Sequence, residues 1–251
     1  MDNTLPLLLH RVKNCLPGLD GRVGAPDPDA IVVGADNRRQ LQALRDHWQQ
    51  AHPEAGPHYW SSRCWSLLVW QPVYLSVLSV HLGHLAPRLA TLGQRATQGF
   101  ISGFSLPEHQ PHAGSETQLI QAACAEIRLV CERLFADLNA VQKVHAKLAG
   151  RLKADCVMAA LLHTQQCHPG LDDEALERLG RRWLAALELP DASGLMRVPL
   201  SGGRQRLALH RKVCCQHFRR CDGELCSTCP KLSLEQRLTR LRQEFADAVS
   251  D

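Results

Sequence analysis

The chain contains the segment Cys214-Cys215-Gln216-His217-Phe218-Arg219-Arg220-Cys221-Asp222-Gly223-Glu224-Leu225-Cys226-Ser227-Thr228-Cys229-Pro230. The adjacent pair Cys214 and Cys215 is followed, after ten residues, by the pair Cys226 and Cys229. Four thiolates from one short segment form a soft, anionic site, which suits zinc or an iron–sulfur cluster and not magnesium or calcium. Zinc sites usually space two ligands by roughly two to four residues, so that one turn presents both sulfurs to one ion. Adjacent cysteines point apart, and they therefore fit a site with two metal ions better than a site with one.

The whole pattern, Cys-Cys-x10-Cys-x-x-Cys, resembles that of the FhuF-like family of siderophore ferric reductases. The flanking residues agree: basic residues precede the first pair, an aromatic residue and two arginines follow it, and Cys229 is followed by proline. A second stretch is similar to the aromatic helix of these proteins and of the related C-terminal domain of siderophore synthetases; it comprises Tyr59-Trp60-Ser61 and Trp65-Ser66-Leu67-Leu68-Val69-Trp70-Gln71-Pro72. The residues before this stretch show no such resemblance.

The resemblance implies a protein that binds a 2Fe-2S cluster through Cys214, Cys215, Cys226 and Cys229. It also implies an enzyme, a siderophore ferric-iron reductase. One electron reduces the Fe(III)-siderophore, and Fe(II) is released because the hard, anionic oxygens of a siderophore hold it far less tightly. The chain departs from the family pattern at Cys221, inside the ten-residue spacer. We predict that Cys221 is not a ligand.

The electron source is expected to be external. The chain has no phosphate-binding loop and no glycine fingerprint for a nicotinamide or flavin. The expected donors are a ferredoxin-type or flavodoxin-type protein, or an NAD(P)H-dependent reductase. No general acid or nucleophile is needed, which agrees with the absence of such a constellation from the sequence.

Charge around the cysteine segment is the second functional signal. Net charge is only +4, yet no acidic residue lies between Asp191 and Asp222. One interpretation is a solvated surface; the other is a positive field that raises the potential of the cluster and attracts an anionic ferric siderophore or an acidic electron carrier. The candidate residues for substrate or donor binding are Arg211, Lys212, Arg219, Arg220 and His217, and His210 or His217 could supply protons to the freed siderophore oxygens.

Two other classes of function stay open. A zinc-stabilised accessory or interaction module of siderophore metabolism would use the same four cysteines without redox activity. An iron–sulfur sensor would bind nucleic acid through the basic stretch. Nucleic acid is not the expected partner, because acidic residues elsewhere cancel most of the excess charge and aromatic residues interleave poorly with it. The thirteen histidines include no catalytic zinc signature, and His81 and His84 are expected to be ordinary core or surface residues.

The remaining cysteines predict a reducing, cytoplasmic location. Six are scattered along the chain and form no secretory disulfide framework. Leu5 to Leu9 is too short for the apolar region of a signal peptide, and Arg11 and Lys13 follow it instead of preceding it. We expect the six to be small, buried core residues: Cys15, Cys64, Cys124, Cys131, Cys156 and Cys167.

One apolar segment tests the prediction of a soluble protein. Cys64 to Leu82 has no charged residue, and its length approaches that of a membrane span. Several polar residues interrupt it, which favours a buried helix of the core: Ser66, Gln71, Pro72, Ser76, Ser79 and His81. Peripheral contact with a membrane surface stays open as an alternative.

The fold is expected to be α+β, predominantly helical, with a few short strands and a C-terminal cysteine-rich cluster loop. A single domain is expected over 1–251, with a less certain part at 1–55 and a cluster-binding segment at 211–232. Helix starts are expected at Asp36-Asn37, at Asp172-Asp173-Glu174, and at the capping boxes Ser115/Gln118 and Ser233/Gln236.

Further elements follow from periodicity. Residues 99–106 are predicted to form a strand, and residues 196–200 and 205–210 are predicted to form a β-hairpin. The longest helix is expected from Leu119 to Leu148, with an interruption at Gly150. Pro72 is expected to kink or start the aromatic helix.

Overall fold

The chain folds into helices and two small β-sheets in a computed structural model, which describes residues 3–168 and 170–250. The α+β class and its helical majority are confirmed. The helices are α1 (Thr4–Cys15), α2 (Arg38–Ala51), α3 (Gly56–Gly83), α4 (Glu116–Asn139), α5 (Ala146–Cys167), α6 (Asp173–Ala186) and α7 (Leu234–Ser250). The strands are β1 (Gly21–Val23), β2 (Ile31–Val32), β3 (Gly93–Thr97), β4 (Phe100–Leu106), β5 (Leu195–Pro199) and β6 (Gln205–Leu209).

Helix α3 is the centre of the hydrophobic core. Helices α1, α2, α4 and α5 pack against it, and most of its side chains are buried. A helix that is apolar on all sides is stable in water only when other elements cover it. The stretch Pro53–Gly83 is long and apolar enough to cross a membrane, but 67% of its apolar 18-residue window is buried inside the protein. The structure therefore agrees with the predicted core helix.

Pro72 lies inside α3 and is not its start, because the helix begins at Gly56 after the 3-10 turn Pro53–Ala55. Proline has no N–H, so it leaves the carbonyl of Leu68, four residues earlier, without its helical partner. Gln94 in β3 supplies the missing donor. Its Nε2 lies 3.1 Å from the Leu68 oxygen and 3.1 Å from Gln71 Oε1. A buried amide from the sheet thus lets the helix continue through proline.

Two sheets flank the helices. The larger has the strand order β1-β4-β3-β2, with β1 parallel to β4 and the other neighbours antiparallel. The smaller is the predicted hairpin, in which β5 and β6 pair from Leu195 with Leu209 to Pro199 with Gln205. Its turn contains Gly202 and Gly203 at φ of 70° and 71°, a conformation that glycine adopts without steric cost. Helix α7 packs on this hairpin, and the cysteine segment lies between the two elements.

The predicted helix from Leu119 to Leu148 is two helices. Helix α4 ends at Asn139, whose Oδ1 accepts the Val144 N–H at 3.1 Å while its Nδ2 donates to the Phe135 oxygen at 2.8 Å. These bonds fix a turn before α5 even though the apolar register runs on into it. Gly150 lies inside α5 and interrupts nothing.

The helix starts largely follow their capping signals. Ser115 and Gln118 form a complete capping box, the Ser233 and Gln236 side chains bond each other's backbone N–H, and Asp172 accepts from the Ala175 N–H. Asn37 differs, because its side chain does not cap α2. It bonds the Val32 backbone and Asp137 instead.

The interpretation of the scattered cysteines is wrong for Cys15 and Cys167. Their sulfurs are bonded to each other, which joins the end of α1 to the end of α5 across 152 residues of sequence. Cys64, Cys124 and Cys131 are buried as expected, and Cys156 is half-buried. A disulfide between partners so far apart in sequence cannot be deduced from spacing alone. Disulfides are uncommon in the cytoplasm, so the predicted location is not strengthened by this bond.

Candidate metal centre

The cysteine segment leaves β6 and runs as a loop, with a 3-10 turn at His217–Arg219, into α7. Cys214 is 8% exposed and Cys229 is 1% exposed, while Cys215 and Cys226 are partly buried. Cys221, in contrast, is exposed. The four predicted ligands therefore face the interior of the loop, and the fifth cysteine faces solvent.

The four inward sulfurs form two pairs. Cys214 Sγ and Cys229 Sγ lie 3.7 Å apart, and Cys215 is hydrogen-bonded to Cys226. Two thiolates at about 2.3 Å from one tetrahedral metal would lie about 3.8 Å apart, so the first pair has the spacing of ligands to one ion. Each adjacent cysteine thus has its partner in the Cys-x-x-Cys turn. This donor set fits a cluster of two irons in which each iron takes two thiolates.

Hydrogen-bond donors surround these sulfurs. The Gln216 N–H points at Cys214 Sγ over 3.4 Å, which the left-handed backbone of Gln216 at φ 64° makes possible. On the other pair, Thr228 Oγ1 lies 3.9 Å from Cys226 Sγ, and Arg211 Nη1 lies 3.8 Å from the same sulfur. Donors directed at sulfur favour the thiolate over the thiol.

Arg211 is held in place by a buried acid. Its Nε lies 3.3 Å from Oδ2 of Asp155, a residue of α5 that is 1% exposed. Ser193 Oγ donates to Asp155 Oδ1 at 2.6 Å. Burial raises the pKa of Asp155 to about 6, and the Ser193 hydrogen bond and Arg211 oppose that rise. The carboxylate thus fixes a guanidinium that reaches the cysteine pair.

The pKa values of the thiols differ in the metal-free chain. The hydrogen bond from Cys226 is the main reason that the pKa of Cys215 falls to about 5, and Arg211 adds to the effect. The same hydrogen bond raises the pKa of Cys226. Burial raises the pKa of Cys214 to about 11. The thiolate is the form that binds metal, so Cys215 offers a preformed ligand.

The side chains of the other predicted binding residues make their contacts away from the cysteine sulfurs. Lys212 Nζ donates to the Asp191 oxygen at 2.6 Å and is exposed, and Arg219 Nε donates to Gln216 Oε1 at 3.1 Å and is also exposed. Arg220 is paired with Asp222. His217 is exposed and its ring lies 6.3 Å from the Tyr59 ring. Among the five predicted residues, Arg211 contacts a cysteine sulfur through its side chain, and His217 bonds the Cys215 sulfur through its backbone N–H.

The beginning of the aromatic helix α3 lies against the cysteine segment. The Cys221 N–H donates to Glu54 Oε1 at 2.9 Å, and this bond is the largest cause of the lowered pKa of Glu54. Tyr59 packs beside His217. The two stretches that share the family resemblance are therefore in contact.

Sequence reasoning missed Asp155 and Ser193. Asp155 occurs in the apolar run Ala154-Asp155-Cys156-Val157 of α5, and an acid on a buried helix face needs a partner. That signal marks Asp155 as unusual, but it does not identify Arg211, which lies far along the chain. Ser193 gives no comparable signal.

The comparison with known families agrees with this geometry. Residues 211–231 match the family model of the FhuF 2Fe-2S C-terminal domain. The match includes Arg211 and both cysteine pairs. This segment therefore carries the cysteine cluster of a 2Fe-2S domain of the FhuF type.

Proposed function

We propose that this chain is a siderophore ferric-iron reductase whose 2Fe-2S cluster is held by Cys214, Cys215, Cys226 and Cys229. The observation that carries the proposal is the match of residues 211–231 to the FhuF 2Fe-2S C-terminal domain. The convergence of the four sulfurs in two pairs supports it, as does the exposed position of Cys221. When bound, the cluster supplies single electrons, which is what reduction of Fe(III) to Fe(II) requires.

The chain's own residues provide the surroundings for this chemistry. Arg211 places a positive charge against Cys226, and such a charge raises the potential of a nearby iron–sulfur site. Burial of Cys214 and Cys229 keeps water from one side of the centre. Arg219 and His217 are exposed beside the segment, so they are available to an anionic chelate or to an acidic electron donor.

Release of iron needs no covalent catalysis. Siderophore oxygens are hard, anionic ligands that bind Fe(III) strongly and Fe(II) far less strongly. The proposed substrate is therefore a ferric siderophore, and the product is Fe(II) free of its chelate. The proposed electron donor is a separate ferredoxin-type, flavodoxin-type or NAD(P)H-dependent protein, and the proposed location is the cytoplasm.

The test combines metal analysis with an anaerobic assay. We expect purified protein to be red-brown, with about two irons and two acid-labile sulfides per chain, and to give an S = 1/2 EPR signal when reduced. Reduced protein mixed with a ferric siderophore should yield Fe(II) in a ferrous trap, while Cys226→Ser protein should yield little. One zinc per chain without visible absorption would support the zinc-stabilised module and contradict the proposal.

A further inference from the structure

We propose that an anionic ferric chelate binds in a cavity between the β5–β6 hairpin and α7, beside the Cys226-Ser227-Thr228-Cys229 turn. This inference rests on the proposed function, because it names the binding place and the chemical class of the substrate. The class is a chelate that keeps a net negative charge through catecholate or carboxylate oxygens.

The cavity has a volume of about 650 Å³. That volume lies within the range of roughly 300–1,000 Å³ that small-molecule sites occupy. Three guanidinium groups and an apolar surface share its wall, which comprises Pro199, Leu200, Ser201, Arg204, Arg206, Arg242, Phe245 and Ala246. An organic scaffold with anionic oxygens matches both kinds of surface.

The three arginines are held in place without being neutralised. The Arg206 guanidinium lies 4.3 Å from the centre of the Phe245 ring, and Arg242 Nε donates to the Pro199 oxygen at 2.9 Å. Within the described residues, no ion pair joins Arg204, Arg206 or Arg242 to a carboxylate. Arginine presents a fork of donors that suits pairs of anionic oxygens. The cavity thus offers positive charge that is free to bind an anion.

A second cavity lies next to this site and borders the cysteine segment. It has a volume of about 330 Å³, shares Arg206 and Phe245 with the first, and is also lined by Ser227 and Thr228. Ser227 and Thr228 lie between two of the cysteines, and Thr228 Oγ1 is 3.9 Å from Cys226 Sγ. A chelate held by the three arginines would therefore be separated from the Cys-x-x-Cys turn by this second cavity.

Acidic groups occur only towards the second cavity among the described lining residues. Glu244 accepts from Ser227 Oγ at 2.9 Å, and Asp173 accepts from Gln165 Nε2 at 2.8 Å. Their negative charge disfavours an anion in the second cavity and leaves the arginine cavity as its place. A neutral ferric trihydroxamate would gain little from either charge.

A second basic surface, formed by Arg219 and His217, is left for the electron donor. Arg219 and His217 belong to the part of the segment that contacts Tyr59 and the start of α3, whereas the arginine cavity belongs to the hairpin and α7. Two separate basic surfaces allow donor and chelate to bind at the same time.

The test measures binding separately from reduction. Gallium(III) has the same charge as Fe(III) and is not reduced, so a gallium tris-catecholate with net charge 3− probes the site without redox chemistry. Full-length, cluster-loaded protein is titrated with this probe and with a neutral gallium trihydroxamate. The variants are Arg204→Gln/Arg206→Gln/Arg242→Gln, single Arg204→Gln, and Arg39→Gln as a control on α2, where the side chain is 84% exposed.

We expect the anionic probe to bind the wild type more tightly than the neutral probe, with an affinity that falls as salt rises. The triple variant should lose at least about tenfold in affinity, because charged hydrogen bonds are lost. Arg204→Gln alters one exposed side chain and should lose part of the affinity. It provides the test if the triple variant fails to fold. Absence of anionic binding, equal binding of both probes, or loss in Arg39→Gln would overturn the site. Binding of the gallium probe without any Fe(III) reduction would refute the proposed function and leave the site in place.

Discussion

Arg211 and Asp155 form an ion pair, with 3.3 Å between Nε and Oδ2, at a place where Asp155 is 1% exposed. Asp155, which is distant from Arg211 in the sequence, thereby holds the Arg211 guanidinium next to a cysteine sulfur. A buried carboxylate left alone would be costly, and so would a buried guanidinium. The pair therefore gives the cluster segment a positive charge in a defined position.

Replacing Arg211 with Gln should lower the reduction potential of the cluster. The change removes a positive charge and a hydrogen-bond donor from Cys226. In the wild type, this charge and this donor stabilise the reduced, more negative cluster. We expect a fall of roughly tens of millivolts, measured by an EPR-monitored redox titration. Lys212→Gln is the matched control, because Lys212 is the exposed neighbour and its side chain bonds only the Asp191 carbonyl in the described contacts. An equal fall in both variants would show that overall charge, and not the position of Arg211, sets the potential.

Serine at Cys214, Cys215, Cys226 or Cys229 should each abolish the cluster or destabilise it severely. Each of these sulfurs belongs to one of the two inward pairs, and the loss of one leaves an iron with an incomplete set of ligands. Cys221→Ser should keep its visible absorption and its iron, because Cys221 is exposed. Loss of iron from Cys221→Ser together with retention in Cys215→Ser would contradict the ligand assignment.

Reversal of charge at Arg219 should slow the reaction in a salt-dependent way. Arg219 is exposed and bonds only Gln216 in the described contacts, so Arg219→Glu should leave the cluster assembled. Steering of an anionic partner should fall, and we expect a rate loss of roughly threefold to tenfold at low salt. The effect should shrink when the Debye length falls below about 8 Å. Fe(II) trapping at low and high salt measures it; a loss that ignores salt would indicate damage to the structure instead.

His81 should make the protein sensitive to acid. It is buried in α3, where its Nε2 accepts from Trp183 Nε1 at 2.9 Å, and burial lowers its pKa to about 4. Glu116, Arg182, His84 and His168 are the charged groups that face it. In the unfolded chain its pKa is about 6.5, so the unfolded state takes up the proton first as the pH falls. The stabilisation is therefore complete above pH 6.5 or so and is lost progressively towards pH 4.

The contribution of His81 to the loss in the free energy of unfolding is about 2 kcal/mol between pH 7.5 and pH 5. His81→Gln keeps an acceptor for Trp183 and removes the titration, so its urea midpoint should change less over the same range. Visible absorption should be recorded in parallel to confirm that the cluster is retained. The same slope in both proteins would assign the acid sensitivity to other groups.

Local signals predicted part of this structure well. The Ser115/Gln118 box set the start of α4, and alternation on either side of Gly202-Gly203 predicted the hairpin that leads to the cysteines. The end of α4 was missed because Asn139 closes a turn through its side chain while the apolar register continues. These features depend on neighbours in sequence, and the error at Asn139 arose where two local signals disagreed.

Long-range relationships could not be predicted from one sequence. The cysteine motif identified the sulfurs, but nothing in it places Asp155 beside Arg211 or Cys15 beside Cys167. The donor from Gln94 that compensates Pro72 is another example. Each of these contacts joins residues that are distant in the sequence, and they meet only when the helices pack around α3.

The central claim is that one cluster delivers one electron to one ferric siderophore. The direct measurement is an anaerobic single-turnover experiment: reduced, desalted protein is mixed with a ferric siderophore in the presence of a ferrous trap. We expect the visible absorption of the oxidised protein to return at the same rate as the Fe(II) complex appears, with about one Fe(II) per cluster. Protein that stays bleached after mixing, with no Fe(II) formed, would contradict the account.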